Sequence, residues 1–344
     1  MRPTFSIIVF TVLSGAGYGL WFVLGVGLVG WWPQCRHTGG DGAPVVSTCV
    51  YAGVVDYALI AGFILVSIGL LSSVAHLGRP ARAWRALSQW RSSWLSREGI
   101  ASLLTFVPAV LVFVALNLPA WRIATGRDFG TLDWLLGATR ALPPLGALLA
   151  FGALATVFCT ANIYASLKPV RAWRNRFVTS AYLLLGLYSG ALLLWTLATL
   201  PQAWFANEVP FLLGAIIVLA AVSVVLKSLY WRDIDHLPPP DAGHATGLDA
   251  QGAVRSFEQP HTEENYLTRE MGFVLARRHA TKLRRIAVIA GFVLPAALAL
   301  LALAFSGAPI LAWIAMVSGF IGIFFERWLF FAEAKHAVIG YYAR

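Results

Sequence analysis

Eight apolar runs dominate this sequence, at roughly 5–30, 51–76, 98–118, 141–167, 177–200, 209–230, 284–306 and 309–332. Each is long enough to cross a bilayer core as a helix, which takes about 20 residues. Lipid offers no partner to a free backbone group, so such a chain folds either as a helix bundle or as a closed barrel. The short apolar–polar alternation that marks barrel strands is missing. The expected fold is an all-α integral membrane protein with eight transmembrane helices. Composition agrees: 58% of the 344 residues are hydrophobic and 12% are charged, with a mean hydropathy of +0.71. Soluble domains carry about 25% charged residues. The first run is too long for a signal peptide. Trp31 and Trp32 follow it in place of a small-residue cleavage site, so it reads as a helix.

Lysine and arginine set the orientation of a membrane protein. The N-terminus, the second, fourth and sixth loops and the C-terminus, with the adjoining helix ends, hold 22 of the 26 basic residues. Arg36, Arg122, Arg127 and Arg140 fall on the other side. Both termini are therefore expected in the cytoplasm (N-in/C-in), with residues 1–344 forming a single membrane domain. The formal charge of +10 follows this sidedness and does not gather into one basic domain. It indicates contact with membrane lipids and no nucleic-acid partner.

The stretch His76–Gly99, "HLGRPARAWRALSQWRSSWLSREG", packs five arginines and three tryptophans between two apolar runs. Pro80 ends a helix there, and the tryptophans set its depth at the interface. Trp84, Trp90 and Trp94 can wall a flat apolar ring. Arg79, Arg82 and Arg85 offer a landing patch to an acidic partner. A similar run, Lys168–Trp173, follows the fourth helix. It is either a duplicated hairpin or a second helix end meeting the same surface. The long polar segment 231–282 opens with prolines 238–240 and a linker-like stretch. Its Phe257, Tyr266 and Phe273, set among charges, read as a cytoplasmic docking arm; the plainer account is a solvated loop. Cys35 and Cys49, on the outer side, form a disulfide or stay free thiols.

Charged side chains within membrane helices are costly and usually have a task. His76 stands where the second helix leaves the membrane and Glu98 where the third enters, and the loop between can bring them together. Imidazole titrates near neutral pH. Such a pair can hydrogen-bond a quinone carbonyl and exchange its proton; alternatively His76 binds only an interfacial phosphate or carbonyl. Glu326 and Arg327, near the same depth, are a second candidate for quinone or proton chemistry, or a structural salt bridge. Glu333 follows them at the same end. Asp56, at the outer end of the second helix, makes a polar bundle contact or serves an outer proton route. No haem or metal site is expected: no histidine lies mid-membrane, and the three cysteines lack cluster spacing. GxxxxGK[ST] and HExxH motifs are also missing.

"HLGRPARAWRAL" followed by "SWLSREG" resembles the DMSO reductase anchor-subunit family. So do "CTANIYASLKP" (Cys159–Pro169), "PHTEENYLTREMGF" (Pro260–Phe273) and "ERWLFFAEAKH" (Glu326–His336). The resemblance implies an eight-helix anchor in the bacterial inner membrane. It would serve a complex with a molybdopterin catalytic subunit and a ferredoxin-like [4Fe–4S] subunit. The anchor would bind quinone, either ubiquinone or menaquinone, and the family's quinol-linked His and Glu fall on His76 and Glu98. The long sixth loop and the dense cytoplasmic arginines resemble the anchors of sulfite-oxidising, quinone-reducing enzymes more than the shorter reductase anchors. Competing expectations are a quinol-oxidising anchor of a DMSO-type reductase, a purely structural anchor, and a secondary transporter or proton channel. The last would place charges near the midplane beside broken helices.

Overall fold

A computed structural model describes residues 4–30, 51–75, 77, 79–126, 130, 138–200, 209–238, 242–248, 250, 252, 254, 257–258, 279–305 and 309–342. Eight helices in it are long and apolar enough to span a membrane. They are α1 (Phe5–Gly30), α2 (Tyr51–Val74), α3 (Trp94–Thr125), α4 (Ala138–Ala165), α5 (Arg176–Ala198), α6 (Val209–Asp235), α7 (Ala280–Ala304) and α8 (Pro309–Ala332). Among the described residues there are no strands; Val170 and His336 form one isolated antiparallel bridge.

Helices α1 and α5 form the centre of the bundle and are more deeply buried than the other spans. Helix α1 packs on α2, α4, α5 and α8, while α3 leans on α4 and barely touches α2. Glycines permit the central crossing. A Cβ on Gly19 would fall 1.8 Å from the Gly186 carbonyl oxygen, and one on Gly190 would fall 2.1 Å from the Gly19 carbonyl carbon. Helices in lipid associate through such close contact, because burial of apolar surface gives them little to gain there.

Helix α7 is interrupted by a π-turn over Ile289–Val293. Pro295 has no N–H, so the Gly291 carbonyl four residues earlier loses its helical donor. The Tyr188 hydroxyl of α5 donates to it instead at 2.7 Å, and Gly291 abuts Gly322 of α8. This one kink joins three helices. Helix α6 continues to Asp235 and α7 begins at Ala280, so both ends of the 231–282 segment are helical.

Gly190→Ala is expected to destabilise the solubilised subunit by more than the ~1–3 kcal/mol of ordinary overpacking, because backbone atoms must separate. Gly214→Ala, where a Cβ meets nothing within 4 Å, should be silent. Thermal unfolding in detergent checks both, and equal behaviour of the two variants would sink the crossing as the central contact.

Candidate functional site

The polar stretch after α2 folds as a hairpin onto the start of α3. Pro80–Gln89 is a 3-10 helix, and the Ser96 hydroxyl of α3 donates to the Ala86 carbonyl oxygen. Arg97 clamps the turn. Its Nε donates to the Trp90 carbonyl oxygen at 2.9 Å and its Nη2 to that of Arg91 at 2.7 Å, with the guanidinium 4.3 Å over the Trp94 ring. The charge beside Glu98 in sequence is thereby occupied elsewhere.

Glu98 lies one turn into α3 and is 4% exposed. Its Oε1 accepts from the Thr160 hydroxyl of α4 at 2.5 Å. Among the described residues no cation lies within ion-pair distance of it. The same face of α3 continues this polar strip, because residues i, i+4 and i+7 line up on a helix. Ser102 is 2.5 Å from the Tyr18 hydroxyl of α1, and Thr105 is 3.3 Å from Thr156 of α4. Trp94 meets Phe158 edge-on at 5.8 Å.

A second buried cluster stands on the other side of α1 and α5. Glu326 of α8 forms an ion pair with Lys227 Nζ of α6 and accepts a hydrogen bond from Arg327 Nε, each at 2.5 Å. All three residues are at most 3% exposed. Aromatic faces take up the excess cation: Lys227 lies 4.0 Å over the Tyr230 ring, and Arg327 lies 4.2 Å over Tyr182. Outside them, Arg284 bridges Asp235 at 2.6 Å and Glu333 at 2.9 Å. Burial pushes the Glu333 carboxyl above its usual range, and Arg284 pulls in the opposite direction.

The structure thus places the residues named from sequence unevenly. Glu98, Glu326 and Arg327 face the bundle interior. Trp94 adjoins Glu98, whereas Trp84 and Trp90 are 69% and 53% exposed. Arg79, Arg82 and Arg85 are exposed on the hairpin, as is Phe257 in the long segment. His76, Tyr266, Phe273, Cys35 and Cys49 lie outside the described residues. Asp56 accepts a hydrogen bond from Asn117 at 3.0 Å at the opposite end of the bundle. The two similar loop stretches diverge, since Trp173 is buried with its Nε1 on the Phe330 carbonyl oxygen. Lys227, Thr160, Tyr18 and Tyr182 were not read as site residues from sequence. Lys227 carried a signal, as a lysine inside the apolar run "VVLKSLYW", but sequence counting treats it as a helix-end charge.

The model of the family described as DMSO reductase anchor subunit (DmsC) matches residues 1–241. The chain belongs to the DMSO reductase anchor-subunit family. It is a multi-pass membrane anchor subunit. It is also similar to a subunit of the sulfite dehydrogenase of Allochromatium vinosum, with 29% identity over 348 residues, covering 99% of each chain. No solved structure matches.

In this anchor subunit the Lys227–Glu326–Arg327 cluster behaves as a unit. Glu326→Gln leaves two buried cations facing each other, a change of the kind that costs about 3–5 kcal/mol. Adding Lys227→Met should recover part of that loss. A double-mutant cycle on thermal stability measures the recovery, and simple additivity would show that the pair is not coupled.

Proposed function

We propose that this anchor subunit exchanges electrons and protons with membrane quinone at the Glu98 end of its bundle. The electrons come from a ferredoxin-like [4Fe–4S] subunit bound to a molybdopterin catalytic subunit on the cytoplasmic side. The observation that carries the reading is Glu98 itself: a buried carboxyl at a helix start, held by the Thr160 hydroxyl and without a counter-ion among the described residues. The surroundings fit a quinone ring. The carboxyl can give or take a proton at a ring carbonyl, and Trp94 with Phe158 supplies an apolar wall. Bound quinone accepts two electrons and two protons to become quinol. Glu98 and His76 each hold and deliver one of those protons.

The preferred direction is quinone reduction with electrons from sulfite, supported by full-length similarity to a subunit of a sulfite dehydrogenase. The match to reductase anchors favours the second reading, quinol oxidation at the same site. The exposed Arg79, Arg82 and Arg85, and the 231–282 arm with Phe257, Tyr266 and Phe273, would face the partners. Cys35 and Cys49 would pair on the outer side.

The orientation rests on 22 basic residues against 4. Reporter fusions at Arg344 and within residues 242–251 are expected to give cytoplasmic signals; a periplasmic signal from either would move the partners to the other face.

His76→Ala and Glu98→Gln should each cut electron exchange with quinone by about 10²–10⁴, the usual contribution of a positioned acid–base group. The complex should stay on the membrane and still pass electrons to a soluble dye, which draws on the upstream clusters. Activities with quinone and with dye are compared on the same membranes. Full quinone activity in both variants would place the site elsewhere. A parallel fall of both activities would make the residues structural.

A further inference from the structure

A small cavity lies between Thr160, the partner of Glu98, and Arg327 of the Lys227–Glu326–Arg327 cluster; its wall is mostly apolar, with a few polar side chains set into it. Thr160 and Tyr18 line one side of it, and Tyr182 and Arg327 line the other. It leaves ≈ 20 Å³ for a water centre, and about 10–15 Å³ is enough for one molecule. A cavity of this size stays dry when its walls are apolar. Here the Tyr182 hydroxyl and Arg327 Nη2 are both buried, close to each other, and neither makes a hydrogen bond of good geometry among the described residues. The Thr160 hydroxyl donates to Glu98 and can still accept. One water has the bonds to serve all three groups.

We propose that this cavity holds water that joins Glu98, through Thr160, to Tyr182 and Arg327, and that Glu98 recovers its proton along this chain. The inference rests on the quinone reading of Glu98. Two electrons from an iron–sulfur carrier and two protons complete each quinol, one proton from His76 and one from Glu98. The Thr160 hydroxyl then hands its proton to the Glu98 carboxylate and takes one from the water. The water recovers its proton from the Lys227 ammonium by way of the Glu326 carboxyl, and Lys227 is reprotonated from bulk water by way of Glu333. One proton advances per turnover, and every group along the chain ends as it began. Arg327 stays charged throughout and serves to fix the water.

The chain continues toward the surface. Glu326 is paired with Lys227, and Lys227 lies within the field of Glu333. Glu333 has one buried carboxylate oxygen without a hydrogen-bond partner among the described residues. It lines a ≈ 230 Å³ pocket together with Arg171, Asp235, Arg284 and Lys335. That pocket stands at the end of the bundle where α3 begins. The proton source and Glu98 therefore share one face of the membrane.

The test uses the whole purified complex, reduced photochemically beforehand and then mixed with a short-chain quinone analogue or with a soluble dye. Thr160→Val and Tyr182→Phe remove one hydroxyl each with little change of volume. Each should slow quinone reduction about a hundredfold, the lower end for a positioned proton-transfer group. Each should also raise the solvent isotope effect and leave dye reduction as it was. If Glu98→Gln is inactive toward quinone while these two variants keep the wild-type rate and isotope effect, the relay is wrong and the quinone site stands. If Glu98→Gln keeps full quinone activity, both ideas fall. Radiolytic hydroxyl labelling of the unaltered complex gives a reading that does not depend on variants folding. Tyr182 should be oxidised, whereas Tyr188, buried and bonded to the Gly291 carbonyl, should not. An unlabelled Tyr182 means a dry cavity and overturns the proposal.

Discussion

The crossing of α1 and α5 at Gly19, Gly186 and Gly190 sets the dimensions of everything around it. With no side chains between them, the two backbones touch, and α2, α4, α6 and α8 pack against this central pair. Tyr18 is the neighbour of Gly19, and Tyr182 lies one turn before Gly186. The crossing therefore brings one phenol from each helix to the walls of a single cavity. A wider crossing would part the Glu98 side of the bundle from the Arg327 side. Packing that looks purely structural thus fixes the distance between two groups of ionisable side chains.

Those groups differ in how their charge is borne. Lys227, Glu326 and Arg327 carry a net single positive charge in a buried part of the bundle. Two ion pairs, one of them hydrogen-bonded, and four aromatic faces, those of Tyr182, Tyr230, Trp231 and Phe330, compensate for the lost water. Such an arrangement locks the ends of α6 and α8 together. Glu98 has no such frame. Among the described residues it is held by a single hydroxyl, while its sequence neighbour Arg97 is committed to the hairpin. A carboxyl so lightly held can change partner or protonation state at little structural cost.

The spans and the family were legible in the sequence because both are local. A run of about 20 apolar residues announces itself, and the motif "HLGRPARAWRAL" with Glu98 beyond it is contiguous text. Glu98 and the Glu326–Arg327 pair stood out for the same reason, as charges against an apolar background. Their partners were not legible. Thr160, Tyr18 and Tyr182 are ordinary residues of membrane helices until tertiary packing sets them beside a carboxyl or a guanidinium. The different environments of Trp84 and Trp173 make the same point: similar hexapeptides at similar helix ends leave the ring exposed in one case and set it in a packed aromatic cluster in the other. The kink in α7 had a visible cause in Pro295, but the donor that repairs it, Tyr188, is 107 positions away in sequence.

The position of the polar groups also bears on energy coupling. The strip along α3 runs Glu98, Ser102, Thr105 and then becomes Ala109, Val112 and Leu116, all buried. Beyond these lie Asn117 and Asp56, bonded to each other at the far end. Among the described residues, no hydroxyl or charge on this face bridges that apolar stretch. Asp56 therefore fits a polar contact between α2 and α3 better than an outer proton route. Under the proposed reading, electrons and protons reach the quinone from the same face, so no net charge crosses the membrane. Carrying one elementary charge against 100 mV takes about 2.3 kcal/mol. A site supplied from one face avoids that load, so the whole potential difference between the electron donor and quinone is left to drive the reaction forward.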